Sequence, residues 1–144
     1  MTAPAAALSS KCFCANLRKA SRALSKLYNE ALEECRLPST QYSLLSHLQR
    51  LGPVSFGALS RDMRLERTTL IRNVRLLANQ GHVEVLHNPP PQPHTIKLTP
   101  RGEALQAQAK YSWNKAQARV SAMLSDEERA ILEGILQKFL ALPS

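Results

Sequence analysis

The stretch that most constrains this chain runs from Val54 to Leu98. Phe56, Leu59 and Met63 recur at helical spacing there and mark a short helix over 56–62. Met63-Arg64-Leu65 reads as a tight break, and a second helix starts near Glu66. In that helix Leu70, Val74 and Leu77 fall at i, i+4 and i+7, which makes one apolar stripe. Arg67, Thr68, Arg72, Asn73 and Arg75 lie mostly off the stripe and are expected to face outward. Two helices meeting at a short turn, the second presenting Arg, Thr and Asn, have the form of a helix-turn-helix that reads the major groove. Gly81 stops the second helix. The segment His82 to Leu86 then alternates like a strand, and Thr95 to Leu98 is placed to pair back on it as a β-hairpin wing. The plainer alternative is a helical hairpin with solvated arginines, and the wing directly behind the second helix argues against it.

At 144 residues the chain has the length of one domain with a real core. It carries 19 Lys and Arg against 11 Asp and Glu, a formal net charge of +8. Residues 37–98 hold seven basic against three acidic side chains, compared with six against three before them and six against five after. Arginine dominates that middle segment (Arg50, Arg61, Arg64, Arg67, Arg72, Arg75), with Lys97 its only lysine. Arginine grips phosphate and the guanine edge bidentately, which lysine does not. A basic balance would also suit an anionic membrane. However, no run approaches the ~20 apolar residues of a membrane span, and Met1 to Ser10 lacks the basic start of a signal peptide. Three cysteines, two of them one residue apart, do not suggest a disulfide framework. A soluble, cytoplasmic protein is expected.

Taken in order, residues 1–9 are small and expected to be disordered. From about Ser10 to Arg36 a long helix is expected, with Phe13, Leu17, Ala20, Leu24, Leu27, Tyr28, Ala31 and Cys35 on one face. Such a helix outruns a small body, so its stripe calls for a partner, of which a second subunit is the simplest. Leu37-Pro38 breaks it, and a helix over 40–50 turns Tyr42, Leu45 and Leu48 inward. The wing tip, His87 to His94, carries four prolines and cannot be strand; an extended finger is expected. Thr99-Pro100 reads as an N-cap and first helical position. The helix after it, to about Met123, has Leu105, Ala109, Trp113, Ala116 and Val120 on one side. Ser125 and Glu128 form a capping box for a last helix that turns Leu132, Ile135, Leu136, Phe139 and Leu140 inward. The fold class expected is mainly α with a small β-hairpin wing. It is a single domain over 1–144, with dimerisation helices at 10–36 and 99–142 around a winged helix-turn-helix at 38–98.

This arrangement resembles the MarR family of bacterial winged-helix transcription regulators over roughly residues 11–141, on residues 62–81 (DMRLERTTLIRNVRLLANQG) and 96–102 (IKLTPRG). The resemblance implies a homodimer whose first and last two helices form the apex of a triangle, with two winged helices reading a pseudo-palindromic operator in double-stranded DNA. It further implies a repressor released by a small aromatic ligand or by cysteine oxidation. The family commonly carries Asp-x-Arg at the wing tip, its arginine entering the minor groove, whereas this tip has no arginine. Residues 14–28 are also similar to the peroxide-sensing segment of the organic hydroperoxide resistance regulators, a branch of the same family. That likeness places Cys14 as the reactive thiol and Tyr28 as its partner, with Arg18 and Ser39 where the branch has further tyrosines.

The candidate DNA contacts are Arg67, Thr68, Thr69, Arg72 and Asn73, with Arg75, Arg50, Arg64 and Lys97 for phosphates or flanks. Thr68, Thr69 and Arg72 are best placed for bases. Candidate effector or redox residues are Cys12, Cys14, Arg18, Arg22, Tyr28, Tyr42, Tyr111 and Trp113. The aromatics would stack on an aromatic acid while Arg18 or Arg22 holds its carboxylate; they equally read as plain core. Cys14 is open to three readings, helix packing, redox sensing beside Arg18 and Lys11, or a soft-metal site with Cys12. Cysteines at i and i+2 of a helix point apart, and Cys35 lies roughly 30 Å further along, on the apolar face. His47, His82, His87 and His94 are scattered outside any H-x-x-x-H or H-E-x-x-H spacing. No catalysis, cofactor or metal is therefore expected. The alternative to a DNA-binding regulator is a dimeric helical adaptor that works by protein contacts. An adaptor would show apolar anchors on 66–79, where this chain shows arginine.

Overall fold

The computed structural model describes Leu8 and residues 10–144; the segment expected to be disordered, 1–9, otherwise lies outside the described residues. The order of elements is α1 (Phe13–Leu32), a 3-10 turn (Glu33–Cys35), α2 (Ser39–Leu51), β1 (Val54–Ser55), α3 (Phe56–Met63), α4 (Arg67–Asn79), β2 (Val83–Leu86), β3 (Thr95–Leu98), α5 (Pro100–Ala122) and α6 (Asp126–Leu140). The expected order of helices and wing is present, with one addition. Val54-Ser55 forms a third strand, so the antiparallel sheet runs β1-β3-β2, with Val54 opposite Ile96 and Val83 opposite Leu98.

The core lies where α2, α3, α4 and the sheet meet α5. Leu44, Leu45 and Leu48 of α2, Leu59 of α3, Leu70, Val74 and Leu77 of α4, Val83, Ile96 and Ala109 are all buried. Each buried leucine stabilises the fold by about 1.5–3 kcal/mol. From α1 only Leu32 joins them. The first helix ends earlier than expected because Arg36 turns left-handed (φ 50°) and Pro38 disfavours helix at Leu37. The start of α2 has no cap of its own, and Asn29 of α1 accepts the Ser39 N–H at 2.7 Å instead. On α5 the buried line includes Gln106 and Ser112 as well as Ala109 and Ala116, while Leu105, Trp113 and Val120 are only half-buried.

Side-chain caps fix the starts of α5 and α6. Thr99 caps α5 by accepting the Gly102 N–H at 3.0 Å and donates its own hydroxyl to Gly81 O at 2.6 Å. Ser125 and Glu128 form the expected capping box; the two hydrogen bonds to Ser125 hold the Glu128 carboxyl below its ordinary pKa. The expectation that α6 turns its apolar side inward is corrected. No residue of α6 is buried, and Leu132, Ile135, Leu136 and Phe139 are each 41 % exposed. Phe13, at 79 %, and Leu17 and Leu24, at 41 %, are likewise bare on α1. The apolar faces exist, but the chain alone does not cover them.

Candidate nucleic-acid interface

The turn between α3 and α4 is set by local chemistry. Arg64 adopts a left-handed conformation (φ 48°), Leu65 N–H donates to Ser60 O at 3.1 Å, and the Ser60 hydroxyl donates back to Leu65 O at 2.6 Å. The chain therefore reverses within three residues and α4 begins at Arg67. With Leu70, Val74 and Leu77 buried, the opposite face of α4 is fixed outward. Arg67, Thr68, Arg72 and Arg75 are exposed on it, together with Ile71 and Leu76.

Thr69 and Asn73 depart from the expectation. Both are half-buried and line a groove toward Ser39, Thr40 and Ser43 of α2, and Asn73 Nδ2 donates to Thr69 O at 3.0 Å. Placement one position before the apolar stripe rotates them toward α2.

The remaining basic side chains separate by whether they already have partners. Arg50 is paired with Asp62 at 2.7 Å, with His47 3.7 Å from the same carboxylate oxygen. Arg64 donates to the α6 terminus, to Leu140 O at 2.6 Å, Leu142 O at 2.9 Å and Pro143 O at 3.3 Å. Lys97 stands 3.7 Å from Glu84 on the neighbouring strand. Arg50, Arg64 and Lys97 are thus engaged within the chain. Arg67, Arg72 and Arg75 are not: among the described residues none has a hydrogen-bond or ion-pair partner. Arg61, which is not among the candidate contacts named above, is also exposed, and among the described residues its guanidinium has no hydrogen-bond or ion-pair partner.

The wing pairs as expected, but its tip is not an extended finger. Asn88 Nδ2 donates to Pro93 O at 2.8 Å, Asn88 N–H donates to His94 Nδ1 at 3.2 Å, and Gln92 N–H donates to Pro89 O at 3.1 Å. His87 and His94 meet edge to face at 4.8 Å across its base. These bonds close the tip into a compact loop.

Comparison with known proteins bears on this geometry. No protein-family model matches the sequence. An uncharacterized HTH-type transcriptional regulator of Bacillus subtilis, YwoH, is 23% identical over 124 residues, 86% of this chain and 90% of that protein. The transcriptional regulator MosR of M. tuberculosis is 29% identical, with a TM-score of 0.80 over 94% of this chain and 100% of that one. A mutant of MarR from E. coli complexed with operator DNA aligns with a TM-score of 0.81 at 23% identity, over 90% and 93% of the two chains. The chain has the MarR-type winged-helix fold. Another such structure, BpsR of Bordetella bronchiseptica, concerns regulation of DNA binding by 6-hydroxynicotinic acid; it aligns with a TM-score of 0.84 at 19% identity, covering 96% and 99%. These relatives are regulators, not enzymes.

On this MarR-type frame, three of the four expected aromatics converge. Trp113 of α5 lies 6.1 Å from Tyr42 of α2 and 6.1 Å from Tyr28 of α1, centroid to centroid. They line a cleft of about 540 Å³ together with His47, Arg50 and Lys110. The Tyr28 hydroxyl donates to Gln117 Oε1, and burial raises its pKa. Tyr111 is on the other side of α5, two-thirds exposed beneath the Lys115 ammonium. Arg18 and Arg22 do not reach the aromatic cleft; they line a second one, with Cys14 and Leu17 of α1 and Phe139 of α6. The basic side chains that do line the aromatic cleft are Lys110 and Arg50, and Arg50 already pairs with Asp62.

Cys12 is the N-cap of α1, its sulfur accepting the Ala15 N–H at 3.5 Å. Cys14 is exposed, so core packing within the chain does not account for it. Within the chain it does not meet Tyr28, because the two lie fourteen positions apart on one helix, ~21 Å along its axis. Cys35 is half-buried, with its sulfur 3.9 Å from the Ser112 hydroxyl. Among the described residues no three His, Cys, Asp or Glu side chains converge as a metal site, and no helix is long and apolar enough to cross a membrane.

Proposed function

We propose that the chain is a homodimeric, sequence-specific DNA-binding regulator, a repressor that leaves its operator when a small aromatic acid fills the Tyr28–Tyr42–Trp113 cleft. The observation that carries the DNA reading is the set of unpartnered guanidiniums on the outward face of α4, Arg67, Arg72 and Arg75. Like charges one turn apart disfavour a bare helix, and phosphates or guanine edges relieve them. The apolar faces of α1 and α6 support the dimer: residues 10–36 and 99–142 serve as its layer and 38–98 as the reading unit. The operator complex of the MarR mutant and the 6-hydroxynicotinic acid dependence of BpsR support DNA and effector respectively. A second release route rests on Cys14, which is exposed in a cleft between α1 and α6, so that its oxidation would disturb the dimer layer.

The test is a gel shift with the region upstream of the protein's own gene, titrated with salt, with and without aromatic carboxylates. Shifted duplex that dissociates steeply with salt and is released by such an acid is expected. No shift at low salt overturns the DNA reading. A shift indifferent to every acid, with Trp113 fluorescence unchanged, leaves the aromatics as core alone.

A further inference from the structure

The proline-rich tip closes against the reading unit and walls a cleft of about 430 Å³, lined by Phe56 and Gly57 of α3, Arg61, Arg67 and the loop from Pro90 to His94. Arg61 lies over the first turn of α3, its Nη1 3.4 Å from where a Cβ on Gly57 would stand. Two guanidiniums therefore share one cleft, and no carboxylate lines it. The acids nearest in sequence are elsewhere: Asp62 pairs with Arg50, and Glu66 is absent from the lining. An anion is what such a site lacks. The wall opposite is rigid, because Asn88 ties the loop to Pro93 and His94, and prolines offer no N–H to compete with the arginines. Arg67 also belongs to the exposed face of α4, so the cleft continues the reading surface at its N-terminal edge.

We infer that this cleft holds one phosphate of the DNA backbone between Arg61 and Arg67, so that the wing takes its register from a phosphodiester. The inference rests on the DNA-binding reading above and adds to it Arg61, the loop wall and the chemical group recognised.

The experiment uses a duplex selected by the full-length protein from a random-sequence pool. Binding is measured for the parent, Arg61→Gln and Arg61→Lys across a salt series, and then on duplexes carrying one neutral methylphosphonate at a time. Arg61→Gln is expected to flatten the log–log salt slope by about two for a dimer. The parent's advantage over it then shrinks about tenfold between ~50 and ~200 mM salt. Arg61→Lys should keep the slope. One methylphosphonate position in each half-site should weaken the parent yet leave Arg61→Gln unaffected, with the thermal midpoint of the free proteins unchanged. A parent and Arg61→Gln with equal slopes and equal methylphosphonate profiles overturn the inference, since Arg61 would then only pack on the loop. If inorganic phosphate stabilises the parent and not Arg61→Gln while the two proteins bind every duplex alike, the cleft takes free phosphate and the backbone assignment fails. A parent that binds no duplex refutes the DNA reading itself, and this inference with it.

Discussion

Gly102→Ala should destabilise the protein even though alanine is the better helix former. Gly102 is buried in the first turn of α5, where a Cβ would stand 1.9 Å from the His82 carbonyl oxygen and 2.9 Å from its carbon. That is roughly 1.5 Å inside ordinary contact, and the obstacle is backbone, which cannot rotate away. Relief requires α5 to withdraw from the start of the wing. Withdrawal breaks the bond from Thr99 N–H to His82 O (3.1 Å) and strains the Thr99 hydroxyl bond to Gly81 O (2.6 Å). Two hydrogen bonds at ~0.5–1.5 kcal/mol each and ~1–3 kcal/mol of overpacking outweigh the ~0.5–1 kcal/mol that alanine gains in a helix. The net is a loss of about 2–4 kcal/mol. Urea unfolding followed by far-UV circular dichroism reads it. Gly57→Ala is the control, because its Cβ meets only the far end of the Arg61 side chain, and it should be neutral or slightly stabilising. A Gly102→Ala midpoint at or above the parent's would refute the close approach.

Sedimentation should give a particle near twice the 16.0 kDa chain, and Leu136→Asp or Phe139→Asp should return it to monomer; a parent that sediments as monomer at micromolar concentration contradicts the dimer layer. His82 has its Nδ1 enclosed without a partner, and burial first and the Arg101 charge second lower its pKa. Its contribution to stability is therefore present above the ordinary value of ~6.5 and lost as pH falls from there toward the lowered folded value. The urea midpoint should drop through that window, and drop less in His82→Gln; equal drops in both proteins would remove His82 from the account. If oxidation is the release route, peroxide should free DNA from the parent and not from Cys14→Ser, and unchanged affinity in the treated parent would end that route.

The chain showed much of this architecture in its pattern of apolar residues. Leu70, Val74 and Leu77 define a stripe too regular for a loop, and all three are buried. Thr99-Pro100 and Ser125 with Glu128 mark helix starts because caps are chemistry between near neighbours. What escaped is non-local. The two-residue strand at Val54 has no periodicity to detect and exists only by pairing with β3. The partners of Arg50 and Arg64 sit 12 residues away for one and 76 or more for the other. Composition could list these arginines as basic but could not show that they were already engaged. The same limit hid the cleft that Arg61 shares with the wing loop, since its lining residues are far apart in the chain. The α6 stripe is apolar yet does not face inward within the chain, because periodicity identifies a face without saying which surface covers it.

The most direct test of the central claim is fluorescence anisotropy on selected and random duplexes with the parent, Arg72→Ala and Arg75→Ala. If α4 reads DNA as its exposed face implies, Arg72→Ala should lose about 1–3 kcal/mol on the selected duplex and narrow its preference over random sequence. Arg75→Ala should weaken both duplexes alike and flatten the salt slope by about one for each phosphate the arginine no longer neutralises. If both variants bind the two duplexes as the parent does, α4 is not the reading helix.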